Sequence, residues 1–167
     1  MKWILLFILI PSLLKAQTAH IEGDKILYKD TISVAGTSKT ILYNRAVKAI
    51  AKNVHPVKKD RGDNNRTEDR IMATGNIKLT ADYPTTKTLY YLITLKVKDG
   101  AYSYLIDSFD IKQAKSGGKT KSILNEEVLK DMEKSGKPSE EAEKVLNEID
   151  MDIQKLIALI KRDMGKG

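Results

Sequence analysis

The chain offers few side chains that could do chemistry: two histidines, no cysteine, and one carboxylate-rich stretch in a basic 167-residue sequence. His20 lies early in the chain and His55 stands beside Pro56 in a polar segment. Neither has a carboxylate, a hydroxyl nucleophile or a second imidazole at a spacing that would build a triad or a zinc site, and a lone loop histidine is ordinarily a solvated residue. The missing cysteines remove thiol nucleophiles, disulfides and cysteine-based metal sites together. No Ser-containing nucleophile elbow, glycine-rich phosphate loop or histidine-rich metal motif occurs. Asp60-Arg61-Gly62-Asp63-Asn64-Asn65, followed by Glu68 and Asp69, supplies oxygen ligands. It lacks the alternate-position spacing that an EF-hand loop needs before its glycine, so the plainer reading is a solvated turn. Arg61-Gly62-Asp63 and Asn65-Arg66-Thr67 spell an adhesion tripeptide and a glycosylation sequon, matches short enough to arise by chance. The expectation is no catalytic residue, no metal and no cofactor.

What remains are surfaces for binding. Two strand-like runs, Leu89–Lys98 and Ala101–Ile111, flank Asp99-Gly100. Asp-Gly between such runs suits a two-residue type I′ turn with positive φ at both central positions. That turn sets a register. Val97 opposes Tyr102, Leu95 opposes Tyr104 and Ile93 opposes Ile106, and with Tyr91 they form a continuous apolar face, the predicted core side. The other face pairs Lys98 with Ala101, Lys96 with Ser103, Thr94 with Leu105, Leu92 with Asp107 and Tyr90 with Phe109. Tyr90, Leu92, Leu105 and Phe109, joined by Leu27 and Met72, thus make a second apolar cluster, a candidate binding surface. Aromatics across strands ordinarily stabilise a sheet, but a patch of this kind needs a cover. Either the C-terminal helix or a partner would supply it. A second candidate surface is basic: Lys112, Lys115, Lys119 and Lys121 surround Ser116-Gly117-Gly118, suited to contacts with an anionic polymer.

Other elements must position these faces. Lys25–Val34 is β-branched and aromatic, with Ile26, Tyr28, Ile32 and Val34 alternating onto one side. Thr37 or Ser38 caps a helix running to about Asn53, with Leu42, Ala46, Ile50, Ile41 and Val47 at helical spacing. Asn53 to Asp69 is polar, contains Pro56 and Gly62, and reads as a long loop. Arg70 to Thr80 returns to strand alternation through Ile71, Ala73, Ile77 and Leu79. A short helix from Ile123 to about Ser135 stops at Gly136 and Pro138. Ser139 then caps a last helix with Glu140, Glu141 and Glu143 near its positive end. Val145, Ile149, Ile153, Leu156 and Ile160 run down that helix as an apolar stripe, with Leu146 and Ile157 beside it.

The first residues read as an export signal. Lys2 gives a positive start, Trp3 to Leu14 is almost unbroken apolar sequence, and Ala16 is a small residue at the cut. The stretch is shorter than the about 20 residues a spanning helix needs, and Pro11 would break a core helix. With no cysteine after the run, a lipid anchor is not expected. Cleavage near Ala16 takes Lys2 and Lys15 away, so the formal charge falls from +7 to +5. Scattered lysines in a mildly basic exported chain serve solubility and can also meet anionic surfaces. No later stretch is apolar enough to span a membrane.

Residues from about Ile21 to Ile111 resemble a family of bacterial exported proteins known as a domain of unknown function with a TATA-binding-protein-like fold. The resemblance rests on Gly36-Thr37-Ser38 leading into Ile41-Leu42-Tyr43-Asn44-Arg45-Ala46, on Ile71-Met72-Ala73-Thr74-Gly75, and on Leu95-Lys96-Val97-Lys98-Asp99-Gly100-Ala101-Tyr102-Ser103-Tyr104. The last run, with its alternating tyrosines after Lys98-Asp99-Gly100, is the most specific piece. The chain departs from the family pattern in having Ala49-Ile50 where a tryptophan is frequent late in the helix. It also has Ala101 and Ser103 where arginines flank the first hairpin tyrosine. The resemblance implies a fold and no activity, because a fold name is not a function.

The expected protein is therefore α+β: a TBP-like antiparallel sheet of about four strands packed against a helix, with a C-terminal helical extension. Residues 1–16 are the signal peptide, 17–112 the TBP-like domain, 113–122 a basic Gly/Ser linker and 123–167 the C-terminal helices. The expected role is a non-catalytic binding module of the cell envelope, periplasmic or secreted. Its expected partner is a protein or an envelope polymer rather than nucleic acid. The alternative is an envelope hydrolase or metal-dependent enzyme using carboxylates of the 60–69 loop.

Overall fold

In a computed structural model the described residues are 20–22, 25–55, 67–79, 87–114, 120–122 and 140–165. Four long antiparallel strands carry the architecture: β2 (Lys25–Ser33), β3 (Arg70–Leu79), β4 (Lys87–Lys98) and β5 (Ala101–Ala114). Two short strands extend it, β1 (His20–Glu22) beside β2 and β6 (Thr120–Ser122) beside β5. The order is β1-β2-β5-β4-β3, so the hairpin β4–β5 sits at the centre. Helix α1 (Lys39–Asn53) follows β2, and helix α2 (Glu140–Gly165) ends the described chain. The expected leader, the 60–66 loop segment and the short helix after Ile123 lie outside the described residues.

The predicted register of the central hairpin holds for its first seven residue pairs beyond the turn. Lys98 opposes Ala101, Val97 opposes Tyr102, Leu95 opposes Tyr104, Ile93 opposes Ile106 and Leu92 opposes Asp107. The turn itself differs from expectation. Gly100 has φ of 71°, but Asp99 is not among the positive-φ residues, which is the signature of a type II turn. The cause is the neighbour it meets. The Asp99 carboxylate accepts a hydrogen bond from the Lys39 backbone N–H (2.7 Å) at the start of α1, and Gly100 N–H donates to the Thr37 carbonyl (2.9 Å). The Gly100 carbonyl in turn accepts from Val34 N–H (2.7 Å). The hairpin tip is thus tied to the β2–α1 junction. Asp99 and the N-cap Ser38, whose hydroxyl accepts from Ile41 N–H (3.4 Å), together satisfy two donors that open the helix.

A second departure lies farther along. The register shifts between Tyr90 and Leu92, so Tyr90 opposes Asp110 and not Phe109. Ser108, with φ of 54°, marks a β-bulge in which one extra residue of β5 enters the ladder. Counting by twos fails across such a bulge. Phe109 is thereby carried to the core face, where its ring meets Tyr28 edge-on (centroids 5.9 Å apart, 79° between planes). Beyond the bulge β5 continues past its expected end, and Gln113 and Ala114 pair with Lys121 and Thr120 of β6. Part of the stretch 113–122, expected as a linker, is therefore sheet.

Both helices lie on the core face. From α1 come Leu42, Ala46, Ala49 and Ile50, all buried, whereas Ile41 stays 48% exposed despite its helical spacing. From α2 come Val145, Ile149, Ile153, Leu156, Ile157, Ile160 and Met164, so the apolar stripe read from the sequence is the buried one. Against them the sheet presents Ile26, Tyr28, Ile71, Ala73, Leu89, Tyr91, Ile93, Leu95, Val97, Tyr102, Tyr104, Ile106 and Ile111. Polar contacts fix the placement of α2. Tyr28 donates its hydroxyl to Asp150 (3.1 Å), and Lys161 pairs with Asp30 (3.2 Å) while lying over the Tyr104 ring (5.6 Å to its centroid). Arg45 donates to the Met164 carbonyl (3.1 Å), answering a carbonyl at the helix end that has no partner within the helix.

Asp163 ties the ends of the two helices. Its carboxylate accepts from Asn53 Nδ2 (2.9 Å), from Lys52 Nζ (3.3 Å) and from Arg162 Nε (3.2 Å). These donors, Asn53 foremost, hold its carboxyl well below the usual carboxylate range. A folded pKa depressed below the unfolded value near 3.9 gives stability that is present above that value and lost as pH falls through the folded pKa. In Asp163→Asn, the fall in melting temperature on acidification below about pH 4 should be shallower than in the parent. Parallel curves for the two proteins across that range would contradict the assignment.

Candidate functional site

The alternation that buries one face of the sheet presents the other outward, and the strand registers order that outer face into rows. Nearest the hairpin turn, Lys98 stands beside Ala101 and Ser33. The next row runs Arg70, Lys96, Ser103, Thr31 across β3, β4, β5 and β2. It is followed by Met72, Thr94, Leu105, Lys29, and then by Thr74, Leu92, Asp107. At the far end come Asn76, Tyr90, Asp110 and finally Lys78, Thr88, Lys112. The face is therefore basic and hydroxyl-bearing at the turn, apolar and threonine-rich in the middle, and basic again at the far end. No described helix packs on it, since both α1 and α2 occupy the opposite side. Of the two covers the sequence left open, the C-terminal helix or a partner, the helix is not on this face: it completes the core.

The residues singled out from the sequence separate accordingly. Tyr90, Leu92 and Leu105 lie together on the outer face, half-buried, with Met72 in the row of Leu105, whereas Leu27 pairs with His20 of β1. Phe109 does not join them, because the Ser108 bulge turns it to the core. Lys112 is exposed at the far end, 4.8 Å from the Tyr90 ring centroid and 3.7 Å from the Asp110 carboxylate. It is thus continuous with the apolar cluster. Lys121 lies in β6, and Lys115 and Lys119 lie outside the described residues. Arg70, Lys96, Lys98 and Ser103 were not picked out from the sequence as a site. The turn register already placed Lys96, Lys98 and Ser103 on one face. Adding Arg70 required the pairing of β3 with β4, which no local signal sets.

Chemistry of other kinds finds little footing. His55 is exposed at the end of α1, where its carbonyl accepts from Asn76 N–H (3.2 Å) and Nδ2 (3.1 Å). Among the described residues no group of three or more His, Cys, Asp or Glu is placed to hold a metal ion. Three tyrosines of the core are pushed away from acid–base use near neutral pH. Burial, then Asp150, raises Tyr28; burial raises Tyr91; and burial with the nearby Asp30 charge pushes Tyr102 up to about 12. On the helix side an open groove of about 510 Å³ is lined by Ile41, Asn44, Arg45, Lys48, Ala49, Lys52 and Asp163. Two of its cations are already engaged, Arg45 with the Met164 carbonyl and Lys52 with Asp163.

Comparison with known proteins agrees with this architecture. Two crystal structures superpose on most of the chain. A TBP-like protein from Parabacteroides distasonis gives a TM-score of 0.64 at 17% identity, covering 89% of this chain and 98% of its own. A DUF4468 family protein from Bacteroides ovatus gives 0.61 at 13% identity, covering 89% and 91%. At these identities the likeness establishes the fold. No curated protein matches the chain. The family model described as a domain of unknown function (DUF4468) with TBP-like fold matches residues 28–112, half of the chain and nearly all of the four long strands with α1. The chain belongs to that family.

Proposed function

We propose that this protein is a non-catalytic interaction module, exported to the cell envelope, whose outer sheet face receives a partner. The observation that carries the reading is the apolar cluster of Met72, Tyr90, Leu92 and Leu105. It runs from the middle of a sheet face toward its far end, and neither described helix packs on that face. Uncovered apolar area in the centre of a sheet, bordered by charged side chains, is characteristic of interaction surfaces. The export half of the reading rests on the basic, apolar and small-residue succession of residues 1–16.

A photo-crosslinking amino acid placed at Leu92 or Leu105 in producing cells tests the surface. Met151, exposed on α2, serves as the control position. Adducts are expected from the two sheet positions and not from Met151. Absence of adducts at both sheet positions, or equal labelling at all three, would end the proposal. Fractionation of the same cells reads the location, the expected result being a mature form shortened near Ala16 outside the cytoplasm.

A further inference from the structure

Within this outer face the turn-end row contains an arrangement that sheet energetics disfavours. Arg70 lies directly opposite Lys96, and Lys98 follows two residues along the same strand on the same face. Like charges directly opposite in an antiparallel pair destabilise it. Nothing in the described structure offsets this. Among the described residues none of these three side chains makes an ion pair or hydrogen bond, although Lys52, Lys112, Lys144, Lys155 and Lys161 all do. Two carboxylates next to these residues in sequence are turned to other tasks: Asp69 accepts from the Thr67 hydroxyl (2.9 Å) and Asp99 from the Lys39 N–H. Arg70 Nε is also enclosed, with no acceptor in reach. Arg70 as a whole is only half-buried, and a guanidinium open to solvent makes charge-assisted bonds to carboxylates. The row continues into Ser103 and Thr31, whose hydroxyls offer further donors.

We infer that Arg70, Lys96 and Lys98 form an anion site that takes the carboxylates of an acidic segment of a partner polypeptide. The apolar side chains of that segment then lie along Met72, Leu105 and Leu92. The inference rests on the reading of the outer face as an interaction surface and names its partner's chemistry. The neighbouring rows choose among anions. On β3, β4 and β5 the next row is Met72, Thr94 and Leu105, with Lys29 only at its β2 edge, so the ligand must pass from acidic to apolar over a few ångströms. Charged polysaccharides carry no apolar groups at that spacing. An anionic membrane would need the apolar side chains to protrude, whereas Met72, Leu92 and Leu105 are half-buried between rows whose Lys96 and Lys98 are exposed.

The test uses residues 17–167 and a synthetic peptide in which three glutamates precede alternating leucine and threonine, followed by amide-resolved NMR. Chemical-shift changes are expected at residues 70, 96, 98 and 103, with affinity falling as salt is raised. Lys96→Gln should weaken binding about tenfold, a charge-assisted contact being worth roughly that factor. Lys96→Glu separates function from framework. It should abolish peptide binding yet raise the melting temperature by about 1–4 °C, because a carboxylate then faces Arg70. A lower melting temperature in Lys96→Glu would refute the unmatched-charge premise. Shifts scattered over the surface, or unaffected by either substitution, would refute the site. Tighter, Lys96-dependent binding to phosphatidylglycerol vesicles or to a sulfated polysaccharide than to the peptide would refute the polypeptide assignment. Crosslinking from Leu92 is read independently, so the anion site can fail while the interaction surface stands.

Discussion

Gly75→Ala should unfold at a midpoint about 5–10 °C below the parent, a loss of about 2–3 kcal/mol. Gly75 pairs with Tyr91 in the β3–β4 ladder, and a Cβ built on it would fall on the Tyr91 ring and hydroxyl. That ring is almost fully buried in the core and has little room to retreat. Glycine is thus present in this strand interior because another side chain occupies the space a methyl would need. The cause can be separated from β-propensity by a double-mutant cycle. Tyr91→Leu is destabilising on its own because it empties part of the core, but in the Gly75→Ala background much of that cost should vanish. A coupling energy of about 1–3 kcal/mol is expected. Simple additivity would show that alanine acts through the backbone and not through the ring.

Removal of α2 should have a larger effect. A chain ending at residue 139 is expected to show no cooperative thermal transition, since Val145, Ile149, Ile153, Leu156, Ile157, Ile160 and Met164 are all buried against α1 and the sheet. At about 1.5–3 kcal/mol for each side chain buried, their sum is as large as the about 5–15 kcal/mol that keeps a domain folded. Ile153→Ala, a single truncation at a fully buried position, should cost about 2–5 kcal/mol and still leave a measurable, cooperative melt. A soluble, cooperatively folding chain lacking α2 would show that the β2–β5–β4–β3 sheet and α1 suffice. It would recast the last helix as an appendage.

Much of this architecture was legible because it is written in short-range periodicity. The stripe from Val145 to Ile160 could bury itself in only one way once helical, and it did. The pairing of Val97 with Tyr102 and Leu95 with Tyr104 followed from a two-residue turn, since a slip of one position would have turned every apolar side chain outward. Phe109 was misplaced for an equally local reason. A single positive-φ serine inserts one residue and reverses the alternation beyond it, and Ser108-Phe109-Asp110 carries no glycine or proline to announce a bulge. The type I′ expectation at Asp99-Gly100 failed because the side chain that fixes the turn reaches Lys39, sixty residues away.

The candidate site divides along the same line. Composition and motif content in the sequence alone removed thiol chemistry and left no recognisable catalytic pattern. The hairpin register put Lys96, Lys98 and Leu92 on one face together, and local hydrophobic period settled which side of each element is apolar. Only the tertiary structure decided which apolar faces meet. It sent α2 to the core side beside α1, so that nothing described covers the outer face. It also brought Arg70 opposite Lys96 through the pairing of β3 with β4. Local pattern fixes the direction of a side chain relative to its own strand or helix. Which elements become neighbours depends on the total area each arrangement buries, a property of the whole chain that no window of sequence contains.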